Sequence, residues 1–550
     1  MMKRLTSLLM TVLALSAQQA NASEGDTIKV AFNGTSADVT IPSTASVKST
    51  VSSSKVTLVS STTSEEYVYD VSGTATDGQL IISGSYKLTL RLNGVSITST
   101  TGAAIDVECG KRIAVELADC TVNTLVDAAG GSQKGAFYTT GHPEFQGGGT
   151  LNVTGQTKHA ICAKEYLEVK KSVGTINVLS AVSDGIHCGK GKVNNENNYF
   201  QMNGGVVNIA NVGGDGIDSD DYGTILIKGG SLNLNISGTD ADGLKADSTL
   251  TIEGGTVNIN VTGQESTGIR TCWQAYFNGG MVDIAVLADG AKGIKGKQQT
   301  AKTVNGGGSV YFAGAEVTIL ASGDNVVADG DTTKCMGVSV DADMSQTDGT
   351  VSIYAYGAET RTYNVKGTES TGSGFSTYYC PVKFNPYDYE YSMTAYVQLS
   401  VDGQTADLAD YTIVAFCGDE CRGMATVYTP ASGEAYAEVR IYSNSSSGET
   451  ISFKAYDAAG EAYTCSETVS FTSDGLSGTP GSPLSLTITT GTTLLGDMDG
   501  DGTISVADIT LLIDAYLNST YVTTGDMDSD GELTVSDITQ LIATYLDSDQ

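Results

Sequence analysis

The chain is poor in the residues from which most catalytic centres are assembled. Its 550 residues include three histidines, His142, His159 and His187, and a single tryptophan, Trp273. HExxH, GxSxG and phosphate-binding glycine loops are all missing. That excludes zinc-peptidase, serine-hydrolase and nucleotide sites of those types. Basic residues are scarce: 30 Lys and Arg stand against 63 Asp and Glu, for a formal net charge of -33. Phosphate contact needs a basic surface, so nucleic acid is a poor partner. Divalent cations are natural ones. Beyond the N-terminal segment no run is long and apolar enough to span a bilayer. Only 7 prolines accompany 66 glycines. With many Thr, Ser, Val and Asn, this is a β-rich composition with tight turns. The length exceeds one ordinary core, so several domains are expected.

The N-terminus, "MMKRLTSLLMTVLALSAQQANAS", has a basic start, an apolar run and a small-residue site at Ala20-Asn21-Ala22. It reads as a signal peptide over residues 1–22, with the mature chain starting near Ser23. The apolar run is too short for a membrane anchor. No cysteine at the cleavage site invites a lipid. The expected location is therefore extracellular or on the cell surface. Of the ten cysteines, Cys417 and Cys421 are close enough to suggest a local pair. Buried free thiols are the alternative.

Three blocks align without a gap: "GGVVNIANVGGDGIDSDDYGTILIK" from Gly204, "GGSLNLNISGTDADGLKADSTLTIE" from Gly229 and "GGTVNINVTGQESTGIRTCWQAYFN" from Gly254. A fourth starts at Gly279. Within each, apolar residues alternate with polar ones, which marks a strand with one buried face. Glycine pairs mark corners, and no room remains for crossover helices. Each block is thus one coil of a parallel β-solenoid, expected over residues 23–355. Stacking turns columns into ladders. Asp184, Asp215 and Asp242 share one column, and Ile186, Ile217 and Leu244 point inward. His187, Asp218, Lys245, Arg270 and Lys295 point outward, and Asp220 and Asp247 share a further column. Two carboxylates ~5 Å apart repel by about 3 kcal/mol at an effective dielectric of ~20. A calcium ion removes that cost, so Asp215, Asp218, Asp220, Asp221, Asp240, Asp242 and Asp247 are expected to form a calcium cluster. Solvated turn residues are the alternative.

"LRLNGVSITSTTGAAIDVECGKRIAVEL", the GDGIDSD-type turns and the recurrent GGxVxI strands resemble a secreted bacterial carbohydrate-binding β-helix family, over about residues 45–345. The resemblance implies a right-handed parallel β-helix related in fold to pectate lyases, with calcium, cellulose and polygalacturonic acid as ligands. Residues 335–355 depart in spacing and are expected to close the stack. The column Asn208, Asn233, Asn258 and Asp283 reads as a structural amide ladder. Leu226, Thr251 and Tyr276 form another outward column, with Tyr276 a candidate sugar contact. Trp273 reads as inward-facing. The basic column Lys245, Arg270 and Lys295 suits acidic sugars. A solvated, charge-balancing column is the alternative. In a lyase reading Lys245 is the base, provided that a metal lowers its pKa.

Residues 379–490 read as a β-sandwich of short alternating strands. With "GDECRG" and "SFKAYDA" they resemble an accessory domain of bacterial surface proteins, and a spacer role is expected. The C-terminus carries "DMDGDGTISVAD" from Asp497 and "DMDSDGELTVSD" from Asp526. Side chains of Asp497, Asp499, Asp501 and Asp508, with the Thr503 carbonyl, fit one Ca²⁺, and Ser505 acts through water. Asp526, Asp528, Asp530, Asp537, the Glu532 carbonyl and Thr534 repeat the set. Each loop runs into an apolar-striped helix. The pair resembles a type I dockerin over residues 496–547, which implies a cohesin partner. Val506-Ala507 and Val535-Ser536 depart from the Ser-Thr pairs of some dockerins. A purely structural calcium knob is the alternative. The expectation is an exported, modular polysaccharide-binding protein, with a polysaccharide lyase and a structural adhesin as the other classes.

Overall fold

The computed structural model describes residues 27–189, 198–298, 307–328, 330–430, 435–457, 461–489, 495–499, 503–518, 520–528 and 530–548. The segment expected as a signal peptide lies outside them. The chain divides into two compact units, Met1–Asn385 and Pro386–Gln550. It is mostly β, with two helices near the C-terminus. Among the described residues no helix is long and apolar enough to cross a membrane.

The first unit is a stack of parallel strands. One coil contributes Val206–Val212, Ile217–Ser219 and Thr224–Ile227, and the next Ser231–Ile236, Asp242–Ala246 and Thr249–Ile252. The third contributes Thr256–Val261, Thr267–Thr271 and Gln274–Phe277. Each strand pairs parallel with its counterpart on the next coil. The register follows the sequence repeat: Leu232 opposes Val257, and Ile217 opposes Leu244, which opposes Ile269. These apolar side chains are fully buried and form ladders inside the coil. Parallel stacking therefore turns a period-2 sequence into a continuous core without helices.

Two glycine ladders set how closely the coils approach. Gly230 and Gly255 turn corners in the left-handed region, at φ +92° and +85°. Gly216 and Gly243 follow the aspartates, and their role is different. A Cβ on Gly243 would lie 2.4 Å from the Gly268 carbonyl oxygen, and one on Gly216 2.6 Å from that of Gly243. Close stacking, not turn formation, demands glycine after these aspartates.

The stack begins with antiparallel hairpins, Thr27–Gly34 with Ser36–Thr40 and Val47–Ser52 with Lys55–Ser60. Their polar, exposed residues blunt an open strand edge. At the other end, parallel pairing continues past residue 355. Arg361–Val365 stacks on Met336–Val340, and Phe375–Cys380 on Met344–Tyr356. The irregular spacing of 335–355 shifts the repeat without ending the stack.

In the second unit, Tyr391–Val401, Tyr436–Ser443, Glu420–Tyr428, Tyr411–Cys417, Ser447–Asp457 and Ala462–Thr472 pair antiparallel in that order. Leu484–Ile488 pairs parallel with the first of them. Val397, Val439, Phe453, Phe471 and Leu486 share one core. Cys417 and Cys421 are not bonded to each other. Cys417 opposes Glu420 and Phe416 opposes Cys421, and all ten cysteines are free thiols. Helix α1 (Val506–Leu517) follows the first acidic loop and helix α2 (Val535–Ser548) the second.

Candidate functional site

On the Ile217–Ser219 ladder the inward residues Ile186, Ile217, Leu244, Ile269 and Ile294 are each followed by a charged or ionisable residue. The column His187, Asp218, Lys245, Arg270, Lys295 runs in register through five coils. A second column holds Asp184, Asp215 and Asp242. There the Oδ1 of Asp184 accepts the Asp215 N–H at 3.1 Å, and that of Asp215 the Asp242 N–H at 2.7 Å. Each carboxylate thus uses one oxygen to tie coil to coil.

The other oxygen meets a cation. His187 Nδ1 lies 3.2 Å from Asp184 and 3.1 Å from Asp218. Lys245 Nζ lies 2.9 Å from Asp215 and 3.2 Å from Asp218, and Arg270 donates to Asp242 at 3.0 Å. Asp184, Asp215, Asp218, Asp242 and His187 are all buried. A buried charge is costly unless paired, and here each acid faces a cation from its own coil or the next.

Of the expected calcium ligands, Asp215, Asp218 and Asp242 face Lys245, Arg270 and His187. Asp240 is exposed, and Asp221 turns its backbone at φ +53°. Asp247 is buried. Among the described residues, the metal-competent groups on this unit are His159, Asp184 and His187, and His187, Asp218 and Asp220. Sequence reasoning placed His187 and Asp184 in columns without seeing them as a group, and missed His159. The signal was there: two of only three histidines lie one coil apart on the acidic turns.

The pairing sets protonation. Burial alone would lower the pKa of Lys245, but the charges of Asp215 and Asp218 and the hydrogen bond to Asp215 outweigh it and raise it. The protein's own groups therefore shift Lys245 away from the range that a base needs. Burial would also lower His187, yet its bonds to Asp184 and Asp218 carry it up to about 9. Burial raises the Asp215 carboxyl, helped by the charge of Asp242 and opposed by Lys245.

The pairing rule then fails one coil further on. Lys245 and Arg270 each reach the Asp one coil back, whereas Lys295 finds Thr267 in that place. Among the described residues no carboxylate forms an ion pair with Lys295 or Lys292. Buried Lys292 donates to the Gly290 carbonyl at 3.0 Å. Burial and the charge of Lys295 bring its amine down to about 8. Burial, Arg270 and Lys297 lower Lys295 in the same direction.

Other expected contacts resolve differently. Asn177, Asn208, Asn233 and Asn258 form a chain of side-chain amide bonds, each 2.8 Å long. Tyr276 stacks on Tyr311 with centroids 5.1 Å apart, which turns its face toward the neighbouring coil. Trp273 is 41% exposed and so is not a core residue. It sits at the corner before Gln274–Phe277, where strand alternation does not extend.

In the C-terminal loops Asp497, Asp499 and Asp508 come together, as do Asp526, Asp528 and Asp537. Asp501 lies outside the described residues. Asp508 Oδ1 accepts the Met498 and Asp499 N–H groups, and Oδ2 the Ser505 N–H and hydroxyl. Asp537 repeats this with Met527, Asp528 and Thr534. Ser505 therefore caps α1 in a capping box instead of standing as a water-bridging ligand. Asp530 Oδ1 takes the Glu532 N–H. The halves also cross-pack: Gly496 faces Leu541 of α2, and Gly525 faces Leu512 of α1.

A model of the carbohydrate-binding domain-containing protein family matches residues 52–349, and a model of the dockerin type I domain matches residues 495–546. A carbohydrate-binding domain-containing protein of Acetivibrio thermocellus is 29% identical over 112 residues, 18% of this chain and 39% of that protein. The match thus spans well under half of that relative's length. The solved structure of a polysaccharide lyase-like protein from C. thermocellum, a gadolinium derivative, aligns with 64% of this chain and 99% of its own at 18% identity and a TM-score of 0.28. With more than half of its length inside the first match, the chain belongs to the carbohydrate-binding domain-containing protein family, and it carries a C-terminal type I dockerin domain.

Proposed function

We propose that this is an exported protein that binds a plant cell-wall polysaccharide, cellulose or pectin, and docks onto a cohesin-bearing partner. In this reading the stack is a right-handed β-helix and acidic chains such as polygalacturonate are its preferred ligands. The observation that carries it is the end of the charge ladder. Lys295 and Lys292 are ammonium groups left without an acid in a chain of net charge -33. A partly desolvated amine gains most from an external anion, and a uronate carboxylate supplies one per sugar.

Calcium belongs to the dockerin loops in this proposal. Asp497, Asp499, Asp501 and Asp508, and Asp526, Asp528, Asp530 and Asp537, are the ligands, with the Thr503 and Glu532 carbonyls. Exposed Leu511, Ile513 and Leu517 on α1, with Ile542 and Leu546 on α2, give a cohesin an apolar surface. The test mixes the calcium-loaded chain with cellulose and with polygalacturonate, following both retention and ultraviolet absorbance of unsaturated uronate. Retention without new absorbance is the expected result. New absorbance would make the protein a lyase, and neither signal would make it a structural adhesin.

A further inference from the structure

We propose that His159, Asp184 and His187 form a binding site for a zinc-type divalent cation, separate from the dockerin calcium loops and from the lysine end of the ladder. The three side chains come from two consecutive coils, and all are at least nine-tenths buried. Their donor atoms converge. His159 Nδ1 lies 3.0 Å from Asp184 Oδ2, His187 Nδ1 3.2 Å from the same oxygen, and His187 Nδ1 3.1 Å from Asp218 Oδ2. Metal bonds of about 2.0–2.1 Å require ligand-to-ligand edges of roughly 2.9–3.4 Å in octahedral or tetrahedral sites. The His159–Asp184 and His187–Asp184 edges fall in that window, and Asp218 stands beside His187.

His159 supplies an independent pointer. It is 1% exposed, yet among the described residues Nδ1 has only the Asp184 contact and Nε2 has no hydrogen-bond partner. Donors around a common cation behave this way, because each aims at the centre and not at its neighbour. The two imidazoles stack, with centroids 4.4 Å apart and planes 12° from parallel.

Charge and outer contacts agree. Asp184, with Asp218 close beside His187, offsets the charge of a divalent ion and so lowers the cost of burying it. Each carboxylate also holds a second partner that fixes its angle. Asp184 Oδ1 accepts from Ser183 Oγ and the Asp215 N–H, and Asp218 Oδ1 faces Lys245. Metal ligands are commonly oriented by such outer bonds. Two imidazoles select against calcium, which takes oxygen donors, and in favour of a late first-row ion.

The test uses the tag-free full chain, saturated with calcium and titrated with Zn²⁺. Calorimetry should show one tight equivalent, weakened at least about tenfold in both His159→Ala and His187→Ala. X-ray absorption of the wild-type zinc complex guards against a variant that fails to fold. Only three histidines exist, and His142 is bound to Glu165 on the other sheet. A first shell with two imidazoles therefore identifies this site. An oxygen-only shell, a single imidazole, or zinc binding unchanged in both folded variants would overturn the proposal.

Discussion

At the scale of single residues, two positions show how much the stack constrains. Gly243 has no room for a methyl group, because the obstructing atom is a backbone oxygen on the next coil. Gly243→Ala should cost about 1–3 kcal/mol, as overpacking does. Thermal melting of the variant checks this. Lys292 gives a pH prediction. Its folded pKa of about 8 lies below the ordinary lysine value of 10.5, so the folded state disfavours its charge. The penalty is fully present below about pH 8 and is relieved as pH rises toward 10.5. Lys292→Met should therefore melt higher than wild type at pH 7, by a margin on the order of 1–3 kcal/mol. The margin should shrink by pH 10. A constant margin would place the effect in packing instead. Alternation along strands was readable from sequence, so Ile217 and Leu244 were placed inward. Trp273 was misplaced because alternation stops at corners.

At the scale of elements, the charge ladder and the paired loops behave as units. Lys245 serves Asp215 and Asp218 together, so Lys245→Met leaves buried Asp215 without a cation and Asp218 with His187 alone. A loss of about 3 kcal/mol at neutral pH is expected. Adding Asp215→Asn should recover part of it, and a double-mutant cycle measures the coupling. In the C-terminal unit the two loops are near copies, so Asp497→Ala and Asp526→Ala should each abolish one calcium equivalent in calorimetry on the full chain. Equal stoichiometry in either variant would contradict the ligand sets. These loops were legible because their ligands sit close in sequence at fixed offsets. The ladder was only half legible. Column membership follows from the 25-residue period, but the direction in which Lys245 and Arg270 lean does not. That lean back by one coil sets a row of ion pairs along the acidic columns.

At the scale of the whole molecule, the repeat and the loop motifs made the mainly parallel stack and the C-terminal helix pair readable in advance. The end of the stack was not, since the spacing drifts after residue 335 while pairing persists to Cys380. Cohesin docking and glycan binding fall on different units, so each should survive loss of the other. The central claim is that acidic polysaccharide is held by the amines left over at the end of the ladder. Its most direct test is calorimetric affinity of the calcium-loaded chain for polygalacturonate, wild type against Lys295→Ala. A charged hydrogen bond contributes roughly 1.5–3 kcal/mol, so the variant should bind about ten- to a hundredfold more weakly. Its melting temperature and cellulose binding should be unchanged. Equal affinity of the two proteins for polygalacturonate, or no binding by the wild type, would contradict the account.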